Sequence, residues 1–198
     1  PITVTADAGQ SKFFGASDPT FTYTSSDTNA TFTGALDRAV GEDVGSYAIG
    51  QGTLAVVGGN YNMSFVSNDF GITAKPITVT ADAGQTKVFG VTDPTFTYTS
   101  SDTNATFTGA LDREDGEDVG SYAIGQGTLA VVGSNYNMSF VPNDFSVTAK
   151  PITVTADAGQ SKVFGTVDPT FTYTSSDTNA TFTGALDREP GQNVDTYA

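Results

Sequence analysis

The chain of 198 residues contains no cysteine and no histidine. Without cysteine there are no disulfide staples, no thiolate metal sites and no thiol nucleophile. Without histidine, Ser-His-Asp and Cys-His catalysis and the commonest transition-metal ligand are excluded. Cations are scarce too: eight Lys and Arg stand against 22 Asp and Glu, a formal charge of −14 at pH 7. That balance argues against nucleic acid or an anionic membrane surface as partner, since both are held by Lys and Arg neutralising phosphates. No apolar run is long enough to insert into a membrane, and nothing has the pattern of a signal peptide or a lipidation site.

What the chain does contain is repetition. The stretch PITVTADAGQ opens at Pro1, Pro76 and Pro151, a constant period of 75 residues. The period divides the chain into repeat 1 (1–75), repeat 2 (76–150) and an incomplete repeat 3 (151–198) without counterparts of Ile49 to Lys75. The chain opens without Met and stops within a period, which reads as a piece of a longer array. The cut predicts exposed apolar surface and an unpaired sheet edge in repeat 3, to be covered by more chain or by strands of a neighbouring molecule, unless the fold boundary is permuted relative to Pro1. Repeats 1 and 2 differ at ten positions, so near-identity cannot mark out functional residues. Several differences, such as Ala39-Val40 against Glu114-Asp115 and Ser67 against Pro142, fall where turns are expected.

Within a repeat, Ile2, Val4 and Ala6 alternate with Thr3, Thr5 and Asp7, the period-2 pattern of a half-buried strand. Lys12 to Gly15 is a short β-prone piece, and Asp18-Pro19 is a turn signal before a second strand through Phe21 and Tyr23. Asp27 could cap a short helix. Phe32 and Leu36, flanking Gly34, anchor a further short strand. Gly41 and Gly45 mark a turn, followed by strands at Tyr47–Ile49, Leu54–Val57, Tyr61–Phe65 and Phe70–Ile72. With no helical apolar stripe, the expected fold is all-β: small tandem β domains forming a rod of roughly 30 Å beads. Lys75-Pro76 and Lys150-Pro151 are the junctions, stiffened by a residue that needs no N–H partner.

Only carboxylates remain as candidate chemistry, and they fall mostly at turns, which argues against paired-acid catalysis. The chain is read as non-enzymatic, with no catalytic residue and no resident cofactor. Glu114, Asp115, Glu117 and Asp118 form the densest acidic run and are the candidate Ca²⁺ ligands, although the EF-hand spacing is missing. Lys12 and Arg38 recur in every repeat among many acids and suit ordinary exposed ion pairs. Lys12 could instead form an amide link to an asparagine if a buried acid lay beside it. Tyr23, Tyr47 and Tyr61 are half-buried strand residues that, if exposed, could stack on sugars.

The ordered set TADAGQSKVFG, DPTFTYT, TGALDRE, VGSYAIGQGTL and NYNMSF resembles the MBG/YDG-type repeats of large bacterial surface adhesins and filamentous-haemagglutinin-like exoproteins. The likeness covers every copy nearly end to end. It implies an all-β or β-grasp-like module outside the cell, on the bacterial surface or secreted, serving length and display as stalk, spacer or fibre. The alternative it leaves open is a repeat that itself binds a glycan or protein receptor. Expected partners are neighbouring repeats or identical subunits. One departure is Asp195, which stands where the earlier copies have Gly45 and Gly120 and would be strained if that turn needs positive φ.

Overall fold

The computed structural model describes residues 1–197. Repeat 1 comprises β1 (Ile2–Ala6), β2 (Ser11–Phe13), β3 (Tyr23–Ser25), β4 (Phe32–Thr33), β5 (Asp37–Arg38), β6 (Gly45–Gly50), β7 (Ala55–Val56), β8 (Met63–Val66) and β9 (Asp69–Thr73). Repeat 2 follows the same plan as β10 (Lys75–Ala81), β11 (Gln85–Val88), β12 (Tyr98–Ser100), β13 (Phe107–Thr108), β14 (Asp112–Arg113), β15 (Gly120–Gly125), β16 (Ala130–Val131), β17 (Tyr136–Val141) and β18 (Asn143–Thr148). Repeat 3 retains β19 (Val154–Ala156) and β20 (Tyr173–Ser175), paired antiparallel. No helix occurs among the described residues, and the chain is all-β.

Each complete repeat stacks a three-stranded sheet, β3-β1-β8, against a four-stranded one, β2-β9-β6-β5, with β4-β7 as a small third pair. The first strand is central and pairs parallel with β8 and antiparallel with β3. In the other sheet β9 pairs parallel with β2 and antiparallel with β6. The segment from β8 into β9 is nearly continuous; in repeat 2 only Pro142 separates β17 from β18. One extended stretch therefore leaves the first sheet and enters the second.

The core follows the alternation read in β1. Ile2, Val4 and Ala6 are buried, and Thr3 and Thr5 face outward. Val4 and Ala6 pack with Leu36, Ile49, Leu54, Phe70 and Ile72, and the rings of Phe21, Tyr23 and Phe32 close over them. Phe21 meets Phe70 edge-on at 5.2 Å, and Tyr23 meets Phe32 at 5.4 Å, both favourable arrangements for aromatic pairs.

Local chemistry modifies several expectations. The second strand starts only at Tyr23, because the Gln10 side chain takes the place of a ladder partner for Thr22. Its amide oxygen accepts from the Thr22 N–H at 2.8 Å, and its amide nitrogen donates to the carbonyls of Asp7 and Thr22 at 2.9 and 3.1 Å. Gln85 repeats the device in repeat 2. Asp27 caps no helix; its carboxylate accepts from the Asn29 N–H at 2.9 Å, which makes a turn. Gly45 and Gly120 are not among the positive-φ glycines and lie inside or at the start of strands, so Asp195 meets no such strain.

Gly34, between the two apolar anchors, does need its left-handed backbone. Its repeat 2 counterpart Gly109 has φ +80°, and an added Cβ would lie 2.1 Å from the Thr128 carbonyl oxygen. Gly109→Ala is expected to cost repeat 2 about 2 kcal/mol, from backbone strain and a contact that must give. Calorimetry of the full chain checks this, and an unchanged transition would count against the geometry.

The junction is not a linker. Only Ala74 separates β9 from β10, and Lys75 and Pro76 already pair with Tyr136 and Asn137 of β17. The Lys75 N–H donates to Asn135 O at 2.9 Å. Pro76 is tolerated because, in a parallel ladder, alternate residues point their N–H groups away from the partner.

In repeat 3 the apolar face that β1 buries in repeat 1 lies open. Val154 is 40% exposed against 0% for Val4 and Val79, and Phe164 and Phe182 are exposed as well. A groove of about 630 Å³, lined by Phe164, Phe171, Leu186 and Tyr197 among others, marks the place occupied in repeat 2 by Phe145 and its strand. Residues 151–197 do not close into a self-sufficient domain.

Candidate functional site: a partly buried charge cluster in each repeat

The recurring cations do not lie on the surface. The Lys12, Lys87, Arg38 and Arg113 side chains are each at most 7% exposed. The expectation of ordinary exposed pairs is therefore corrected, and the reason is topological. Lys12 sits at the central position of β2 and points inward, while Arg38 ends β5 at the far edge of the same sheet. The Asp18-Pro19 turn brings a carboxylate between them.

In repeat 1, Asp18 accepts from Arg38 Nε at 2.6 Å and from its terminal nitrogen at 3.0 Å, and meets Lys12 Nζ at 2.7 Å. Glu42 completes the set by bonding both Lys12 and Arg38. Arg38 also donates to the backbone carbonyls of Ala39 and Gly41. Its guanidinium lies between two rings, 5.2 Å from Tyr47 and 5.5 Å from Phe70. Tyr47 in turn packs against Gly41, where a Cβ would sit 2.2 Å from the ring, so only glycine fits there. Repeat 2 reproduces this set with Lys87, Asp93, Arg113 and Glu117. In repeat 3, Gln192 stands in for the glutamate and accepts from Lys162 at 2.8 Å.

Two cations and two carboxylates neutralise each other in a complete repeat. The Arg113 guanidinium, followed by Lys87, holds the Asp93 carboxyl down at about 2. Arg38 and Lys12 lower Asp18 in the same way, and hydrogen bonds from Lys12 and Arg38 lower Glu42. Carboxylates locked in the anionic form by bidentate arginine are neither proton donors near neutral pH nor electrophiles. The partners of Lys12 are Asp18 and Glu42, with no asparagine among them, so the geometry for an amide link is not assembled.

The four acids of the 114–118 run do not converge. Glu117 is committed to Lys87 and Arg113, and a Glu114 oxygen accepts from the Ala123 N–H at 3.2 Å. Asp115 and Asp118 enter no cluster of the kind that holds a metal: no group of three or more acids is gathered to take a cation among the described residues. Tyr23 and Tyr47 are half-buried against Phe32 and Arg38. Tyr61 is half-buried too. Sequence reading missed the cluster because its members stand up to 30 positions apart. The available signal was that Lys12, Asp18 and Arg38 recur together in every copy.

Such an arrangement does the work of a structural pin. It defines a tandem all-β repeat whose repeated charges hold each unit's own sheets and turns. The match to known families agrees: residues 2–71, 77–146 and 152–198 each match the MBG domain of the YGX type, and the chain belongs to that family. MBG repeats are typical of surface proteins, and the family is not an enzymatic one. No curated protein matches the chain. No helix is long and apolar enough to cross a membrane among the described residues.

Proposed function

We propose that the chain is a spacer segment of an extracellular bacterial surface adhesin or filament, holding other parts at a distance instead of catalysing a reaction or binding a cofactor. The observation that carries this is the partly buried cluster of each complete repeat, where the recurring cations are buried and are bonded by Asp18 and Glu42, so these charges serve one another. Support also comes from the direct passage of β9 into β10, which joins consecutive units with a single intervening residue. The partners on this reading are neighbouring repeats of the same chain or of identical subunits. Bacterial surface display is supported by the family and by the acidic, cysteine-free composition, which suits a solvated, self-repelling array.

Small-angle scattering on arrays of two, four and six repeats tests the reading. The expected result is a maximum dimension that grows linearly by roughly 30 Å per repeat, the diameter implied by compact-domain scaling. Growth as the cube root of length would overturn it. A glycan array probed with single and tandem repeats separates the rival, since a receptor-binding repeat would gain strongly from avidity.

A further inference from the structure

Near-identical sequence stretches in repeats 1 and 2 differ in structure where the repeats touch. Asn135 Oδ1 accepts from the Val44 N–H at 2.9 Å, and Asn135 Nδ2 donates to Asp43 Oδ1 at 2.8 Å. Beside it, the Tyr136 ring stands edge-on against Phe14 at 5.4 Å. Lys75 Nζ reaches Asp102, whose side chain is 6% exposed, at 2.6 Å. The counterparts that lack a neighbour differ accordingly: Asn60 is exposed where Asn135 is half-buried, and Phe89 and Val119 are exposed where Phe14 and Val44 are half-buried. β17 begins at Tyr136 because Lys75 and Pro76 are there to pair with Tyr136 and Asn137, which places Tyr136 beside Phe14 at the start of the ladder.

We propose that Asn135 and Tyr136 on one side, and Phe14, Asp43 and Val44 on the other, form a head-to-tail recognition site between successive repeats. The partner this site takes is another repeat of the same kind, one offering an aromatic ring at the position of Phe14 and an Asp-Val pair at 43–44. Its chemistry is specific. A side-chain amide satisfies a backbone donor and a carboxylate at once, which an ionised carboxylate in its place, an acceptor only, does not do. The contact ties the start of β17 to the turn of the preceding repeat, so each unit is stabilised by the one before it. The array then behaves as a one-dimensional chain of coupled units, in which neighbour contacts add to the stability of each fold.

The near-identity of the repeats supplies an internal control. In the full chain, Asn135→Ala is expected to raise hydrogen exchange at the Val44 amide and through β17 about tenfold, the size of a lost charge-assisted hydrogen bond. Asn60→Ala, the same change in a local sequence that differs only by Gly59 for Ser134, is expected to leave exchange and melting unaltered. Asn135→Asp sets two carboxylates against each other and should loosen the junction at neutral pH, while Asn135→Asp with Asp43→Asn restores the donor–acceptor pair and returns exchange to the original rate. Equal effects at positions 60 and 135, or no rescue by the exchanged pair, would overturn the proposal. Scattering that showed a compact array while this rescue held would count against the spacer reading only.

Discussion

Replacing Asp93 with Asn is expected to destabilise repeat 2 by about 3 kcal/mol, the lower end of the cost of removing one partner from a buried ion pair. The substitution keeps the side chain's size and removes its charge. Lys87 and Arg113, whose side chains are 3% and 7% exposed, would then face Glu117 alone. For a domain of this length the melting transition should fall by roughly 15 °C, with repeat 1 as an internal reference. Adding Lys87→Met should recover part of the loss by removing a cation that has lost its partner. A change within about 0.5 kcal/mol, as at an ordinary surface position, would show that the cluster is not structural.

The same carboxylate sets an acid sensitivity. Its pKa of about 2 in the fold lies below the value of about 4 for a free aspartate. Between these values the unfolded chain binds the proton and the folded chain does not, so falling pH favours unfolding. The stabilisation is therefore complete above pH 4 or so and is lost as pH falls towards 2. The amide of the Asp93→Asn variant has no proton to take up, so that variant should show a flatter acid limb in repeat 2.

Pulled from its two ends, the chain is expected to resist strongly and give way one repeat at a time. The first strand of each repeat pairs parallel with the strand that leads into the last, as β10 does with β17 over six residue pairs. Tension at the ends slides these strands along each other, so the hydrogen bonds of the ladder are loaded together and not in sequence. Each complete repeat should release roughly 22 nm, from 75 residues at about 3.5 Å each less the few nanometres the folded unit spans. Handles placed instead at Thr99 and Ser139, on the two strands flanking β10, pull across the sheet and open the pairs one after another. The force in that geometry should be clearly lower. Equal forces in the two directions would remove the parallel pair as the mechanical clamp.

Much of the fold was legible in the residues because burial follows simple periodicities. The alternation of Ile2, Val4 and Ala6 with Thr3 and Thr5 matches β1 and its buried face. Phe70 and Ile72 mark β9 in the same way. Strand ends were less legible wherever a side chain replaces a backbone partner, as Gln10 does for Thr22. The resemblance to MBG-type repeats rested on ordered motifs, and the family match over all three copies agrees with it. The candidate Ca²⁺ run illustrates the opposite case: adjacency in sequence placed Glu114 and Glu117 near each other, but in a turn their carboxylates are drawn to different partners.

By itself the sequence determined the repeat length, the all-β class, the acidic character and the absence of thiol and imidazole chemistry, since each depends on composition or on spacing along the chain. Only the tertiary structure decided that Lys12, Asp18, Arg38 and Glu42 meet in one partly buried cluster, and that Asn135 reads Asp43 and Val44 across the junction. These contacts join residues as many as 92 positions apart. The relation between such residues is set by the crossing of strands between two sheets, and no local periodicity carries it.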